Sequence, residues 1–272
     1  MGRQLPPPGA VTDPPRILIV NDDGIHATGL GVLEAAARTL TDDVWVVAPH
    51  TENSAVGHSV SVSTPVRVRE VGHQRFAIVG TPSDCVLVAI WELMADRLPT
   101  IVLSGVNHGE NLAEDLTYSG TMGAALEAAL LGIPAVALSQ LRQPGSLPNF
   151  SVAESWTPRL IEKLLGWTWS PGIVVNVNFP LAEHASGNLE ITSLGQREPG
   201  TFTPMAGRDG RNVPFFWVKL SYDPGTPAAG TDLEAVHRGS VVLTAITTDM
   251  TSPQGNERLA TLFPASADLE VP

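Results

Sequence analysis

The sequence predicts an α/β fold: a doubly wound, Rossmann-like parallel sheet carrying a C-terminal β-hairpin or arm elaboration. Three observations lead there. Short, unbroken apolar runs such as Ile17-Leu18-Ile19-Val20 recur along the first 140 residues, as required of parallel strands buried on both faces. Helical stretches separate these runs, and such alternation specifies right-handed strand–helix–strand crossovers. Polar, glycine-containing loops succeed several of the strands, where a sheet of this kind binds its ligands.

Arg16 to Val20 is the first strand, broken at Asn21-Asp22-Asp23-Gly24. A helix runs from about Thr28 to Leu40, with Gly29 and Gly31 available for close helix packing, and Val44 to Ala48 is the second buried strand. Ser59 to Thr64 alternates at period two, and Arg67 to Val79 reads as a hairpin around Gly72. Thr81-Pro82-Ser83-Asp84 is a capping box with proline at the first helical position, opening a helix to about Ala95. Pro99 precedes a strand from Thr100 to Ser104. Ser119 caps a helix to about Leu131, and Ala135 to Leu138 is the next strand. A helix from Val152 to Leu165 and a strand from Ile173 to Asn178 continue the sheet. From Gly195 the chain turns rich in Gly, Pro and Thr, with strand signals at Phe215 to Leu220 and Ser240 to Ile246 before a polar tail. The expected organisation is therefore a disordered, proline-rich leader at 1–15, an α/β core at 16–194, and an arm with a returning strand at 195–272.

Composition removes whole classes of function. There are 28 acidic residues against 16 basic ones, a formal net charge of −12 at pH 7, and Lys163 and Lys219 are the only lysines. Nucleic-acid polymers, which need a basic face for counterion release, are excluded as partners, and so is a polybasic membrane-surface role. No run approaches the roughly 18 apolar residues of a membrane span. One cysteine, Cys85, permits no intrachain disulfide; with no secretory signal segment, the expected location is cytoplasmic. Cys85 itself reads as a small buried residue of the Thr81 helix.

Three loops at strand ends carry the chemistry. Asn21-Asp22-Asp23-Gly24 places two carboxylates side by side, a costly arrangement unless a cation lies near them, although Asn, Asp and Gly are also ordinary turn residues. Pro49 to Ser59 offers hydroxyls and the imidazoles of His50 and His58, with His58 the better placed to face a cleft. Ser104 to Thr121 contains Asn107, a hard oxygen ligand, and then Ser119-Gly120-Thr121, whose free helix-start N–H groups form an anion site or simply a capped helix. Walker-type, zinc-finger and HExxH motifs are absent.

Four ordered segments resemble the SurE survival-protein family: Ile17 to Leu30, Val46 to Val60, Gly80 to Val86 and Leu103 to Ser139. The stretch from Thr231-Asp232-Leu233-Glu234-Ala235 to Thr244 is similar to that family's C-terminal strand region. His50 stands where an acid commonly follows the Ala-Pro pair, and Thr244-Ala245 replaces the usual Thr-Pro. The resemblance implies a metal-dependent phosphomonoesterase hydrolysing nucleoside monophosphates. It assigns one divalent cation per subunit, Mg²⁺ or Mn²⁺, to Asp22, Asp23, Ser54 and Asn107. It places the phosphate of a small phosphorylated substrate near Asn107, Ser119, Gly120 and Thr121. It also implies a homodimer or tetramer with exchanged C-terminal arms. Asp22 or Asp23 would then act as base toward water, and His58 would protonate the leaving group or hydrogen-bond a phosphate oxygen. Two other readings use the same loops: a phosphatase for a sugar or biosynthetic-intermediate phosphate, and a non-catalytic metal- and nucleotide-binding module. The acidity leaves a problem for all three: something other than lysine must attract an anionic ligand.

Overall fold

The structure, a computed structural model, describes residues 14–143, 145–197, 202–220 and 226–263; the proline-rich leader lies, except for Pro14 and Pro15, outside them. The predicted architecture is present. Strands β1 (Ile17–Val20), β2 (Val44–Pro49), β3 (Arg67–Gly72), β4 (Arg75–Val79), β5 (Ile101–His108), β6 (Ala135–Gln140), β7 (Ile173–Phe179), β8 (Leu189–Ile191) and a later strand β11 (Val241–Thr247) form one sheet. Its order is β3-β4-β2-β1-β5-β6-β7-β11-β8. From β4 to β7 every neighbour is parallel, whereas β3 pairs antiparallel with β4, and β11 antiparallel with β7. Between β7 and β11 the chain forms a separate antiparallel hairpin of β9 (Phe202–Arg208) and β10 (Pro214–Leu220).

Alternate side chains of β1 show why the runs are unbroken. Ile17 and Ile19 enter the core layer under α1 (Thr28–Arg38) and α4 (Ser151–Leu165). Leu18 and Val20 enter the opposite layer, under α2 (Pro82–Val88) and α3 (Gly120–Leu130). All four are fully buried, as both faces of the sheet are covered. Cys85 lies in the second layer, where burial pushes its thiol up. Thr81 closes the expected capping box, its hydroxyl accepting from the Asp84 N–H while the Asp84 carboxylate accepts from the Thr81 N–H.

Local patterns alone misplace some elements. Ser59–Thr64 forms no strand: Val62 is 91% exposed, and the segment is held instead by the Ser61 N–H on Asp84 and the Thr81 hydroxyl on the Ser59 carbonyl. The Thr81 helix is α-helical to Val88 and continues as one wider π turn, Ala89–Leu93. The polar tail contains a helix, α6 (Pro253–Leu262), capped by Ser252 and with no buried residue, so no apolar stripe marked it. A short helix, α5 (Asp232–His237), precedes β11.

Gly29 is a packing requirement. A Cβ there would stand 1.9 Å from the Val106 carbonyl oxygen, so α1 rests directly on the backbone of β5. Gly31, two residues on, meets nothing within 4 Å. Gly29→Ala is therefore expected to destabilise by about 2 kcal/mol, since backbone overpacking outweighs the helix-propensity gain of about 1 kcal/mol. Gly31→Ala should stabilise by up to about 1 kcal/mol. Urea unfolding of the two variants tests this; equal midpoints would show that the close approach does not matter.

Candidate active site

The winding of the sheet reverses between β1 and β5: from β1 it grows through β2 to β4 on one side, and from β5 through β6 to β7 on the other. The carboxyl ends of those two strands thus border the crevice where such sheets bind ligands. Asp22 and Asp23 come directly after β1, and Asn107 lies near the end of β5.

The turn after β1 is locked from within. The Asn21 side chain donates to the Gly24 carbonyl at 3.0 Å and accepts from the Gly24 N–H at 3.2 Å, while Gly24 takes a φ of +100°. The chain reverses there, and both aspartates line the crevice. Asp22 is buried and accepts a hydrogen bond from the Thr121 hydroxyl at 2.6 Å. Asp23 accepts from the His108 N–H at 3.2 Å. At the end of β5 the register with β6 shifts between Ser104 and Asn107, a bulge that re-aims the end of the strand. Asn107 then donates its amide to the Gly109 carbonyl at 2.9 Å, which fixes the amide's orientation.

Ser119 caps α3, its hydroxyl accepting from the Met122 N–H at 3.0 Å, and it lines the cleft. Gly120 lets α3 approach the first loop: a Cβ there would stand 2.8 Å from the Cβ of Asp22. The Thr121 side chain is turned onto Asp22 and not toward open space. Ser54 lines the cleft with its hydroxyl donating to Glu52 at 2.6 Å. His58 is not brought there. Its Nε2 lies 2.7 Å from the Glu127 carboxylate of α3, away from the lining residues, and the imidazole that borders the cleft is that of His108. Of the predicted set, then, Asp22, Asp23, Ser54, Asn107 and Ser119 surround one cleft. Thr121 and Gly120 stand behind it, and His58 stands apart.

Charge is the salient property of this cleft. Burial pushes the Asp22 carboxyl up to about 7; the Thr121 hydrogen bond opposes that rise and the charge of Asp23 adds to it. Burial also raises Asp23, opposed by the His108 N–H, reinforced by Glu52 and opposed again by Arg142. Two desolvated, mutually repelling carboxylates flanked by an amide and a hydroxyl form a set of hard oxygen donors with an unbalanced negative charge. That chemistry fits a hard divalent cation, and among the described residues the cleft offers no soft sulfur or paired imidazoles.

Comparison with known proteins is consistent with this geometry. The profile of the family described as "Survival protein SurE" matches residues 17–201. A protein named 5'-nucleotidase SurE from Methylorubrum extorquens is 45% identical over 253 residues, covering 92% of this chain and 100% of that protein. Another of the same name, from Paramagnetospirillum magneticum, is 44% identical over 259 residues, covering 94% and 99%. The crystal structure of the SurE protein from Aquifex aeolicus superposes with a TM-score of 0.78 at 31% identity, covering 91% of this chain and 99% of that one. The chain belongs to the SurE family.

This SurE chain supports its cleft with residues that the loop motifs alone do not single out. Asn111 is buried, and its N–H donates to the side chain of Asn178 at 2.8 Å. Its carbonyl accepts from the amides of Asn176 and Asn178, both at 2.9 Å, and its own amide donates to Ser139 at 2.8 Å. The available signal was two asparagines at period two in an otherwise apolar strand, VVNVNF, since buried amides on a central strand need partners. Below this network, Arg197 pairs with Asp115 at 2.7 Å and donates to the Leu112 carbonyl at 3.1 Å. Burial still raises Asp115 to about 6, with the charge of Arg197 opposing. Asp232 accepts from the N–H groups of Ala113, Gly195 and Leu233. Together these contacts hold the Asn111–Asp115 loop, whose Asn111 and Asp115 line the cleft.

Proposed function

We propose that this protein is a divalent-metal-dependent phosphomonoesterase acting on nucleoside monophosphates. The observation that carries the reading is the Asp22–Asp23 pair at the switch point, Asp22 buried and Asp23 half-buried, lining one cleft with Asn107 and Ser54. The name 5'-nucleotidase borne by its relatives supports the substrate class.

Asp22, Asp23, Ser54 and Asn107 would hold the cation. When bound, such an ion withdraws charge from the phosphoryl group and eases deprotonation of an attacking water. The chain's own residues supply the rest. Thr121 and the His108 N–H fix the two carboxylates, so that they meet ligand without rearranging. The start of α3 borders the cleft at Ser119, so the positive end of its dipole would favour the phosphate there, while the Ser119 N–H itself is taken by the Asp115 carbonyl at 3.1 Å. An aspartate would accept the water proton, and His108 would protonate the departing oxygen, a role expected of His58 from the sequence; that His108 borders the cleft supports this. The subunits associate as a homodimer or tetramer through the β9–β10 arm. The exposure of Phe216, Trp217 and Val218 on that arm, at 69%, 65% and 69%, supports this.

Phosphate release from a panel of nucleoside monophosphates and sugar phosphates, with and without chelator, tests the reading. Chelation is expected to reduce turnover to background, and added Mg²⁺ or Mn²⁺ to restore it, with nucleotides preferred. Turnover indifferent to chelator would refute the metal site, and preference for sugar phosphates would refute the substrate class.

A further inference from the structure

Among the described residues, the charged side chains that line the cleft are the carboxylates of Asp22, Asp23, Glu52, Glu110 and Asp115, and a single guanidinium, that of Arg142. Arg142 lies just beyond β6, the strand that pairs Ser139 with Asn107 and Gln140 with His108. It extends over Gly109, which takes a φ of +134°. A Cβ on that glycine would stand 3.7 Å from both the Cδ and the Nε of Arg142, and 3.9 Å from the Asn107 amide nitrogen. The guanidinium and the Asn107 side chain therefore converge over the same bare stretch of backbone. Arg142 also borders an adjoining basin, shared with His108 and lined further by Gln143, Ser146 and Asn149. The other arginine of this region, Arg197, is held on Asp115 at 2.7 Å. Arg142 makes no ion pair within 4.0 Å among the described residues, and it is exposed.

We propose that Arg142 binds the phosphate of the substrate in this cleft, as the cation that offsets its carboxylates. The proposal rests on the phosphomonoesterase reading and adds to it a residue outside the four loop motifs. The chemistry suits the position. A guanidinium stays charged at every working pH, and its planar fork matches two phosphate oxygens at once. A dianionic phosphate approaching five carboxylates gains from such a partner even with a divalent ion in place. The competing role for Arg142 is to neutralise Asp23 with no contact to substrate, and it predicts different results.

Arg142→Gln and Arg142→Lys in the full chain decide between them. Inorganic phosphate binding to the Mn²⁺-loaded protein is measured by calorimetry, Mn²⁺ affinity is measured separately, and kcat and KM are taken for a nucleoside monophosphate and for p-nitrophenyl phosphate. The expected result for Arg142→Gln is phosphate affinity at least about tenfold weaker, because a charge-assisted bidentate contact is lost. KM should rise by a similar factor on both substrates, which share only the phosphate. Mn²⁺ affinity should be unchanged or tighter, and thermal unfolding unaltered, since the side chain is exposed. Arg142→Lys should recover part of the phosphate affinity. Unchanged phosphate affinity in Arg142→Gln overturns the proposal, as does a loss that disappears once Mn²⁺ is saturating. If the wild-type protein releases no phosphate from any ester, the phosphatase reading falls. Phosphate binding that depends on Arg142 would still sustain this assignment.

Discussion

Asp23→Asn is expected to lower kcat/KM for phosphomonoesters by more than about 10³-fold at saturating metal, beyond the roughly 10–100-fold typical of a residue that only orients a ligand. The substitution changes one oxygen to an amide nitrogen and leaves no good orientation. If the amide oxygen keeps the hydrogen bond from the His108 N–H, its NH₂ group faces the cation position. If the amide flips, two N–H donors confront each other. Either way the cleft loses a negative ligand. Stability should move the other way. Burial raises the Asp23 carboxyl, so its ionised form costs folding free energy near neutral pH, and a neutral side chain removes that cost. The metal-free variant is expected to melt at or above the wild-type temperature, the pattern of a site strained for function. Turnover within tenfold of wild type would contradict the assignment, and a lower melting point in the absence of metal would contradict the electrostatic account.

The contrast between what the sequence shows and what it hides comes from how local each interaction is. The buried strands were legible because both faces of a parallel sheet demand apolar side chains, as Ile17 to Val20 illustrates. The caps at Thr81 and Ser119 were legible because a capping hydroxyl bonds three residues along the same chain. Asp22 and Asp23 stood out because adjacent carboxylates at a strand end are unusual without a cation. By contrast, Ser59–Thr64 has the right period for a strand but pairs with no strand, its Ser61 N–H going to Asp84 instead, and period alone does not supply a partner. The C-terminal hairpin was expected, but β9 carries Pro204 and Gly207, residues that ordinarily break strands, so the position of the strand that pairs with β10 was not legible. His58 was read toward the cleft on chain proximity, whereas Glu127, 69 residues away, holds its imidazole. The contacts that support the site are likewise distant in sequence: Asn111 to Asn178, Arg197 to Asp115, Asp232 to Ala113. No motif encodes such pairs, because each depends on the sheet having already formed.

Asp232→Ala is expected to be the most destabilising single change in this support, at about 3–5 kcal/mol. Asp232 is fully buried at the first position of α5, and it accepts three backbone N–H groups: Ala113 on Oδ2 at 2.9 Å, and Gly195 and Leu233 on Oδ1 at 2.7 and 2.8 Å. Alanine leaves all three without their acceptor, and each buried unsatisfied donor costs roughly 1–3 kcal/mol. Water reaching the vacated space would bring the sum below the simple total. The geometry also makes Asp232→Asn a finer instrument. With the amide oxygen in the Oδ1 position, two of the three bonds survive, and only the Ala113 N–H faces the new NH₂ group; the flipped amide would oppose two donors and is disfavoured. Asn should therefore cost about 1–3 kcal/mol, concentrated at the Asn111–Asp115 loop that lines the cleft. Denaturant unfolding should rank wild type above Asp232→Asn above Asp232→Ala. Amide hydrogen exchange in Asp232→Asn should accelerate at Ala113 while Gly195 and Leu233 keep their protection. Uniform loss of protection at all three amides would show that the carboxylate acts through its charge at the start of α5, and not through separate bonds to the loop and the arm.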